Sequence, residues 1–280
     1  MKTALVTGGT GFIGHHLCNE LIRRGYDVTA SDRTTSNMQY LHKDVKVILC
    51  DLRKIAFHKE YNYVYHLATL KDETYHNDEL VSTNIWGTYH IAKSFARSRV
   101  IFTSSYEAAD ALNTYGICKK SAEHFMNLHK NAVSIRLPKV FGEGIGDSII
   151  NKFCYNIKNN LQTTIKDSEV VDHVYVKDIV NALIKIGERK IRGITETGYG
   201  QPIKESTLYT MLAKIAKHPC KIKITPVRKG KLKKYATKYK VKEPQYGLVE
   251  GLRRTYRWNM ENSNLWDAKG QIKMEKELIE

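Results

Sequence analysis

Thr3-Ala4-Leu5-Val6-Thr7-Gly8-Gly9-Thr10-Gly11-Phe12-Ile13-Gly14 decides the fold. An apolar strand-like run stops at a glycine-rich turn. Apolar residues then recur at helical spacing at Ile13, Leu17, Leu21 and Ile22. Gly8 lets the chain turn tightly out of the strand. Gly11 lets backbone N–H groups approach a pyrophosphate. Gly14 lets the helix pack close to the sheet, with the positive end of its dipole toward the anion. The glycine spacing alone is a weak signal, but strand before and helix after make it a strong one. Gly8, Gly11, Phe12, Ile13 and Gly14 are therefore candidates for binding a dinucleotide cofactor.

An acidic residue should follow such a turn. Tyr26-Asp27-Val28-Thr29-Ala30-Ser31 reads as a second strand, and Asp32 stands at its end, about 20 residues past the glycines. A carboxylate there takes ribose hydroxyls and repels the 2′-phosphate of NADP, so NAD is the expected cofactor. Arg33 beside it is a cofactor-side candidate of opposite sense, because an arginine accommodates that phosphate.

Further short apolar runs, at 45–50, 63–67, 100–103 and 133–136, alternate with helical spacing at 80–97 and 115–130. This rhythm predicts an α/β fold, a Rossmann-like doubly wound parallel sheet whose ligand lies beyond the carboxyl ends of the strands. After about residue 140 the rhythm changes. Helices are expected at 148–159, 178–187, 205–217 and 246–258, and short strands near 163–166, 173–176 and 221–225. We expect a cofactor domain over 1–140, joined by later sheet strands from 163–197, and a smaller C-terminal substrate lobe over 141–280.

Composition narrows the setting. No run of 18 apolar residues exists, and the first strand begins too early for a signal peptide, so a cytoplasmic protein without membrane contact is expected. Five dispersed cysteines with no C-x-x-C pair fit a reducing compartment. The histidines show no metal-ligand spacing. The net charge of +16 is uneven: residues 201–280 hold 19 Lys/Arg against 8 Asp/Glu, a balance of +11. Residues 221–242 contain ten basic residues and no acid, a surface for a phosphorylated substrate or, in another class of function, for nucleic acid on a scaffold that keeps the fold.

Ser105, Tyr115 and Lys119 carry the chemistry. Ser105 closes the fifth strand, at the ligand edge of the sheet. Tyr115 and Lys119, four apart, share one helix face. Free tyrosine ionises near pH ~10, too high for a base at neutral pH. A lysine ammonium one turn away and the positive end of a nicotinamide should lower that value. Tyr115 would then take a proton from a substrate hydroxyl while Ser105 holds the oxygen.

With these residues the chain resembles the extended short-chain dehydrogenase/reductase family, in its NAD-dependent epimerase/dehydratase branch. The resemblance spans most of the chain. It includes Asp51-Leu52 after strand three, the His66-Leu67-Ala68-Thr69 motif, and Asn84 with Gly87-Thr88 as an N-x-x-G-T helix. It also includes Glu123, the segment Arg136–Gly142, the segment His173–Asp178 and a closing helix at Tyr246–Trp258. It implies a Rossmann domain, NAD, a nucleotide-diphosphate sugar as substrate, and a homodimer through the helices near 80–97 and 115–130. Asp51, Leu52, Leu67, Ala68 and Asn84 then join the cofactor-side residues, with Tyr115 and Lys119.

A narrower resemblance, to polysaccharide-biosynthesis 4,6-dehydratases, rests on Ala108, Asn113 and Gly116 between Ser105 and Lys119, on Leu70-Lys71 and on Thr164–Glu169. The chain departs from it. Tyr106 and Glu107 stand where those enzymes carry an Asp-Lys pair, so only Glu107 remains as an extra acid–base group. Val171 stands where many family members place an arginine on the substrate pyrophosphate, and Lys139 replaces the usual asparagine. Lys71, Ser105, Tyr106 and Lys139 are the expected substrate contacts, with Lys139 supplying charge to the phosphates. Three chemistries fit: a 4-epimerase, which needs only the triad and NAD; a 4,6-dehydratase, which needs further acid–base groups; and a 4-ketosugar reductase, which consumes reduced cofactor. The epimerase is the first expectation.

Overall fold

The computed structural model describes residues 1–33, 38–54, 57, 59–71, 76–144, 148–225, 244–266 and the backbone of 233–235. The described residues divide into two units, Met1–Leu137 with Val180–Glu196, and Pro138–Ile179 with 197–266.

The first unit holds a seven-stranded sheet. Its strands are β1 (Thr3–Thr7), β2 (Asp27–Asp32), β3 (Lys46–Leu49), β4 (Tyr63–His66), β5 (Arg99–Ser105), β6 (Ala132–Leu137) and β11 (Gly193–Glu196), in the order β11-β6-β5-β4-β1-β2-β3. All pairings are parallel. Central strands of a covered parallel sheet are buried on both faces, and every residue of β5 is buried. The edge strand β3 leaves Ile48 and Leu49 exposed.

Alternation along β5 divides its side chains. Val100 and Phe102 join Leu5, Val64, Ile91, Phe95, Ala122 and Met126 in one apolar cluster. Ile91 belongs to α3 (Gly87–Ser94), and Ala122 and Met126 to α5 (Thr114–Leu128). Ile101 faces the other way, where Gly187 at the end of α7 (Val176–Gly187) lies against Ile101 and Tyr65. The strand order reverses between β1 and β4. The crevice for a ligand in such sheets lies there, beyond the carboxyl ends Thr7 and His66.

In the second unit the short strands pair among themselves. β7 (Lys139–Phe141) runs parallel to β10 (His173–Tyr175), and β8 (Thr163–Ile165) parallel to β13 (Ile222–Ile224). β9 (Glu169–Val171) lies between β12 (Ile203–Lys204) and β14 (Lys233–Tyr235). Helices α6 (Ile149–Lys158), α8 (Glu205–Ile215) and α9 (Gly247–Glu261) pack together, with Phe153 edge-on to Tyr209.

This corrects one expectation. Of the strands between 163 and 197, only Gly193–Glu196 joins the large sheet; the earlier ones form small sheets of two and three strands. The division falls at 137/138 rather than 140/141, and 180–196 returns to the first unit through α7 and β11. Most of the basic 221–242 stretch lies outside the described residues.

Candidate active site

The glycine turn leads β1 into α1 (Phe12–Arg23). Gly8 has φ +68°, a left-handed conformation that glycine adopts without strain, and a Cβ there would stand 2.8 Å from the backbone nitrogen of Ala68. A Cβ on Gly14 would stand 2.0 Å from the carbonyl oxygen of Gly8, so any side chain would push α1 off the turn. Gly11 caps α1 with no side-chain hydrogen bond, and no acidic residue lies in the first turn. The first N–H groups of a helix have no partner within it, so those of Phe12, Ile13 and Gly14 suit an anion.

Asp32, at the end of β2, is held by its neighbours. Its Oδ2 accepts from the Thr10 hydroxyl (2.8 Å) and the Thr10 N–H (3.3 Å), and its Oδ1 from the Arg33 N–H (2.8 Å). Asp51 is clamped by the Arg53 guanidinium, whose hydrogen bonds hold its carboxyl below the usual range. Leu52 and Leu67 are buried, Leu52 within the apolar cluster around β5. A close-packed glycine turn, an uncapped helix start and a fixed carboxylate on the next strand fit a dinucleotide. Gly8, Gly11, Phe12, Ile13, Gly14 and Asp32 would hold it.

Asn84 sits in a π-helical turn, Ser82–Trp86, between α2 (Asn77–Val81) and α3. Its side chain accepts from the Leu70 N–H (2.8 Å) and the Thr69 hydroxyl (3.0 Å) and donates to the Leu70 carbonyl (2.8 Å). Asn84 therefore shapes the loop after β4. His66 is buried between the hydroxyls of Thr7 (2.7 Å) and Thr88 (3.0 Å). Burial first, and the Lys119 charge second, lower its pKa to about 3, so it stays neutral and structural.

The reactive groups converge at the end of β5. Ser105 Oγ accepts from the Glu107 N–H (3.2 Å), at the start of the short helix α4 (Glu107–Asp110) that Tyr106 precedes. Asn113 caps α5 by accepting from the Gly116 N–H (2.7 Å) and donates to Glu107 Oε2 (2.8 Å). Tyr115 and Lys119 then rise on one face of α5. Lys119 Nζ donates to the Thr103 carbonyl (2.9 Å) and lies 5.7 Å from the centre of the Tyr115 ring. Lys71 Nζ lies at the same distance from that ring and 3.8 Å from Glu107 Oε1.

The electrostatics of this cluster differ from the expectation. Burial lowers Lys119 to about 7, with Lys71 adding to the effect and Glu123 opposing it. Burial and the Glu107 charge push the Tyr115 phenol up, not down; side-chain hydrogen bonds with Thr69 and Ser105 pull the other way. Lys119 spends its ammonium on a carbonyl, and that ammonium is itself partly discharged at neutral pH. Thr69 thus joins the tyrosine's surroundings. The residue stood in view at the end of the strand-four motif, but nothing local showed that it would reach Tyr115.

Lys139 also needs correcting. Its Nζ lies 2.8 Å from Glu169 Oε2 and 3.3 Å from Glu205 Oε1. Burial pulls its proton affinity down, but the hydrogen bond to Glu169 and the two carboxylate charges outweigh it and hold it above the usual lysine value. Two acids already match this cation, so it does not bring the spare phosphate-binding charge expected of it. Val171 beside it is buried.

A family model described as the NAD dependent epimerase/dehydratase family matches residues 4–197. The chain belongs to that family. The matched span runs from β1 through β11 and so includes the glycine turn, Asp32 and the Ser105–Tyr115–Lys119 cluster. The family is NAD dependent, in agreement with the cofactor expected from Asp32. Among relatives, a protein of Methanocaldococcus jannaschii named a putative UDP-glucose 4-epimerase is 26% identical, over 93% of this chain and 99% of that one. Two solved structures share the family's fold. A UDP-N-acetylglucosamine 4-epimerase from Methanobrevibacter ruminantium, in complex with UDP-N-acetylmuramic acid, superposes with a TM-score of 0.81 at 24% identity, over 93% of this chain and 99% of that one. A UDP-glucose 4-epimerase from Thermotoga maritima with UDP-glucose gives 0.83 at 23% identity, with the same coverage. This family member therefore carries the fold over nearly its whole length.

Proposed function

We propose that this chain is a nucleotide-sugar 4-epimerase that works through a transient 4-keto sugar. One observation carries the reading: Ser105, Tyr115 and Lys119 converge at the carboxyl end of β5, while Glu107, beside them among the described residues, is already engaged by Asn113 and Lys71, and Glu123 by Ser104 and Arg136. Tyr115 accepts the proton of the C4 hydroxyl as that carbon gives up its hydride, which leaves a ketone at C4. Ser105 donates to the same oxygen and fixes the carbon in place. Lys119, whose proton affinity burial lowers to about 7, stands 5.7 Å from the centre of the Tyr115 ring. NAD, when bound, would supply the hydride acceptor and donor. Tyr115 would give the proton back to the same oxygen when the ketone is reduced from its other face, which yields the epimer.

A 4,6-dehydratase must also remove a C5 proton and protonate the leaving hydroxyl. A single engaged carboxylate supports that less well. The polarity of Asp32 speaks against a reductase fed by NADPH. Relatives named for UDP-glucose and UDP-glucuronate suggest the first substrates to try. In the test, each UDP-sugar is incubated with the protein and NAD without added reductant, and products are read by NMR. The 4-epimer should appear with no net reduction of NAD. A 4-keto-6-deoxy product would overturn the reading in favour of the dehydratase.

The setting belongs to the same proposal. The substrate and cofactor are cytoplasmic metabolites, and such an enzyme supplies nucleotide sugars to polysaccharide assembly. Among the described residues, no helix is long and apolar enough to cross a membrane. Trp86 (53% exposed), Ile117 (52%) and Leu128 (82%) leave apolar surface on the π turn and α5, which supports a homodimer through these helices.

A further inference from the structure

We infer that Glu79 sets the cofactor preference of this chain by pairing with Arg33, the residue that would otherwise welcome a 2′-phosphate. The inference rests on the NAD reading above and adds a residue outside the glycine turn and β2. Arg33 directly follows the acidic residue at the end of β2, where an arginine can favour NADP. In the structure its Nη1 lies 3.6 Å from Glu79 Oε1 on α2, a helix that follows β4 by ten residues. A guanidinium serves a phosphate best through two parallel hydrogen bonds, and one held by a carboxylate must break that pair first.

Among the described residues, the neighbouring guanidinium is no substitute. Arg53, the other guanidinium at this edge, is locked onto Asp51 and is also within the field of Glu79. Asp32 is fixed by Thr10 and the Arg33 N–H. Among the described residues, three carboxylates, Asp32, Asp51 and Glu79, thus face two guanidiniums. The balance is one negative charge, which repels a dianionic 2′-phosphate and leaves ribose hydroxyls unaffected. Glu79 is a positioning residue: it acts through Arg33, and its removal both releases that side chain and cancels the excess charge.

The Arg33–Glu79 pair is partly exposed, so its own strength is modest and the expected effect is moderate. The test measures binding rather than turnover: dissociation constants of NAD and NADP by calorimetry on the purified chain, on Glu79→Gln, on Arg33→Ala and on the double variant. Glu79→Gln should tighten NADP about tenfold relative to NAD, and most of that gain should vanish in the double variant. An unchanged NADP/NAD ratio in Glu79→Gln would overturn the inference. So would a gain that persists in full without Arg33, because the pairing would then play no part. If the unmodified chain bound neither dinucleotide, the inference would fall together with the cofactor reading, an outcome distinguishable from the other two.

Discussion

Lys119 shows most plainly what the active site asks of single residues. Its ammonium is buried, and its proton affinity drops from the ordinary 10.5 to about 7. The unfolded chain therefore binds more protons here between pH 7 and 10.5, and this group's contribution to stability improves as pH rises through that window. Below the folded pKa the burial penalty is present in full. Replacing Lys119 with methionine removes it, so Lys119→Met should abolish turnover yet raise stability at pH 7 by about 1–2 kcal/mol. The gap in Tm to the unmodified protein should narrow toward pH 10, and parallel melting curves across pH check both claims. Tyr115 carries the opposite shift, and its removal tests the chemistry more than the fold. Tyr115→Phe should lower kcat by roughly 10²–10⁴-fold while leaving Tm within a few degrees. A variant that melted early instead would mark the hydroxyl as structural. The two residues were legible in the sequence because four-residue spacing on a helix is a local property. Their proton affinities were not. They depend on burial and on Glu107, Lys71 and Thr69, which approach only once β4, β5 and α4 are assembled. Lys139 was misread for the same reason, since Glu169 and Glu205 lie far along the chain.

At the scale of elements, α5 is fastened to the sheet by a buried ion pair. Glu123 accepts from both arms of the Arg136 fork at 2.8 Å and from the Ser104 hydroxyl at 2.6 Å. Ser104 and Arg136 are cross-strand partners on β5 and β6, so one carboxylate on α5 fixes the helix against two strands beside Ser105. Removing one member strands a buried charge. Glu123→Gln should cost about 3–5 kcal/mol, read as a lower urea midpoint, and should also weaken the support for charge on Lys119. Ser104→Ala should cost only about 1 kcal/mol. Helix α5 and strands β5 and β6 could be read from periodicity, because apolar residues recur at the spacing each element requires. The π turn at Ser82–Trp86 could not. Its extra residue per turn leaves the side-chain pattern close to helical, and only the tight hydrogen bonding of Asn84 to Leu70 reveals it. The strands at Thr163–Ile165 and His173–Tyr175 lie close to where the sequence places them but pair in small sheets rather than in the large one, since pairing partners are chosen by tertiary packing.

For the whole molecule, two units share out the work: a parallel sheet whose carboxyl edge gathers the glycine turn, Asp32 and the Tyr115 cluster, and a unit of small sheets and three packed helices. The exposed apolar set at Trp86, Ile117 and Leu128 belongs to this scale, because a monomer would leave it in water. If the proposed homodimer forms, Trp86→Glu should convert it to a monomer in light scattering while NAD binding remains; an unmodified chain already monomeric at micromolar concentration would remove the proposed interface. The central claim is that the hydride leaves C4 and returns to C4. It is tested most directly with a UDP-sugar carrying deuterium at C4, incubated with the protein and NAD and followed by NMR. We predict the 4-epimer with the deuterium retained on C4. Deuterium found at C6 of a 4-keto-6-deoxy sugar, or accumulating in reduced NAD, would contradict the account.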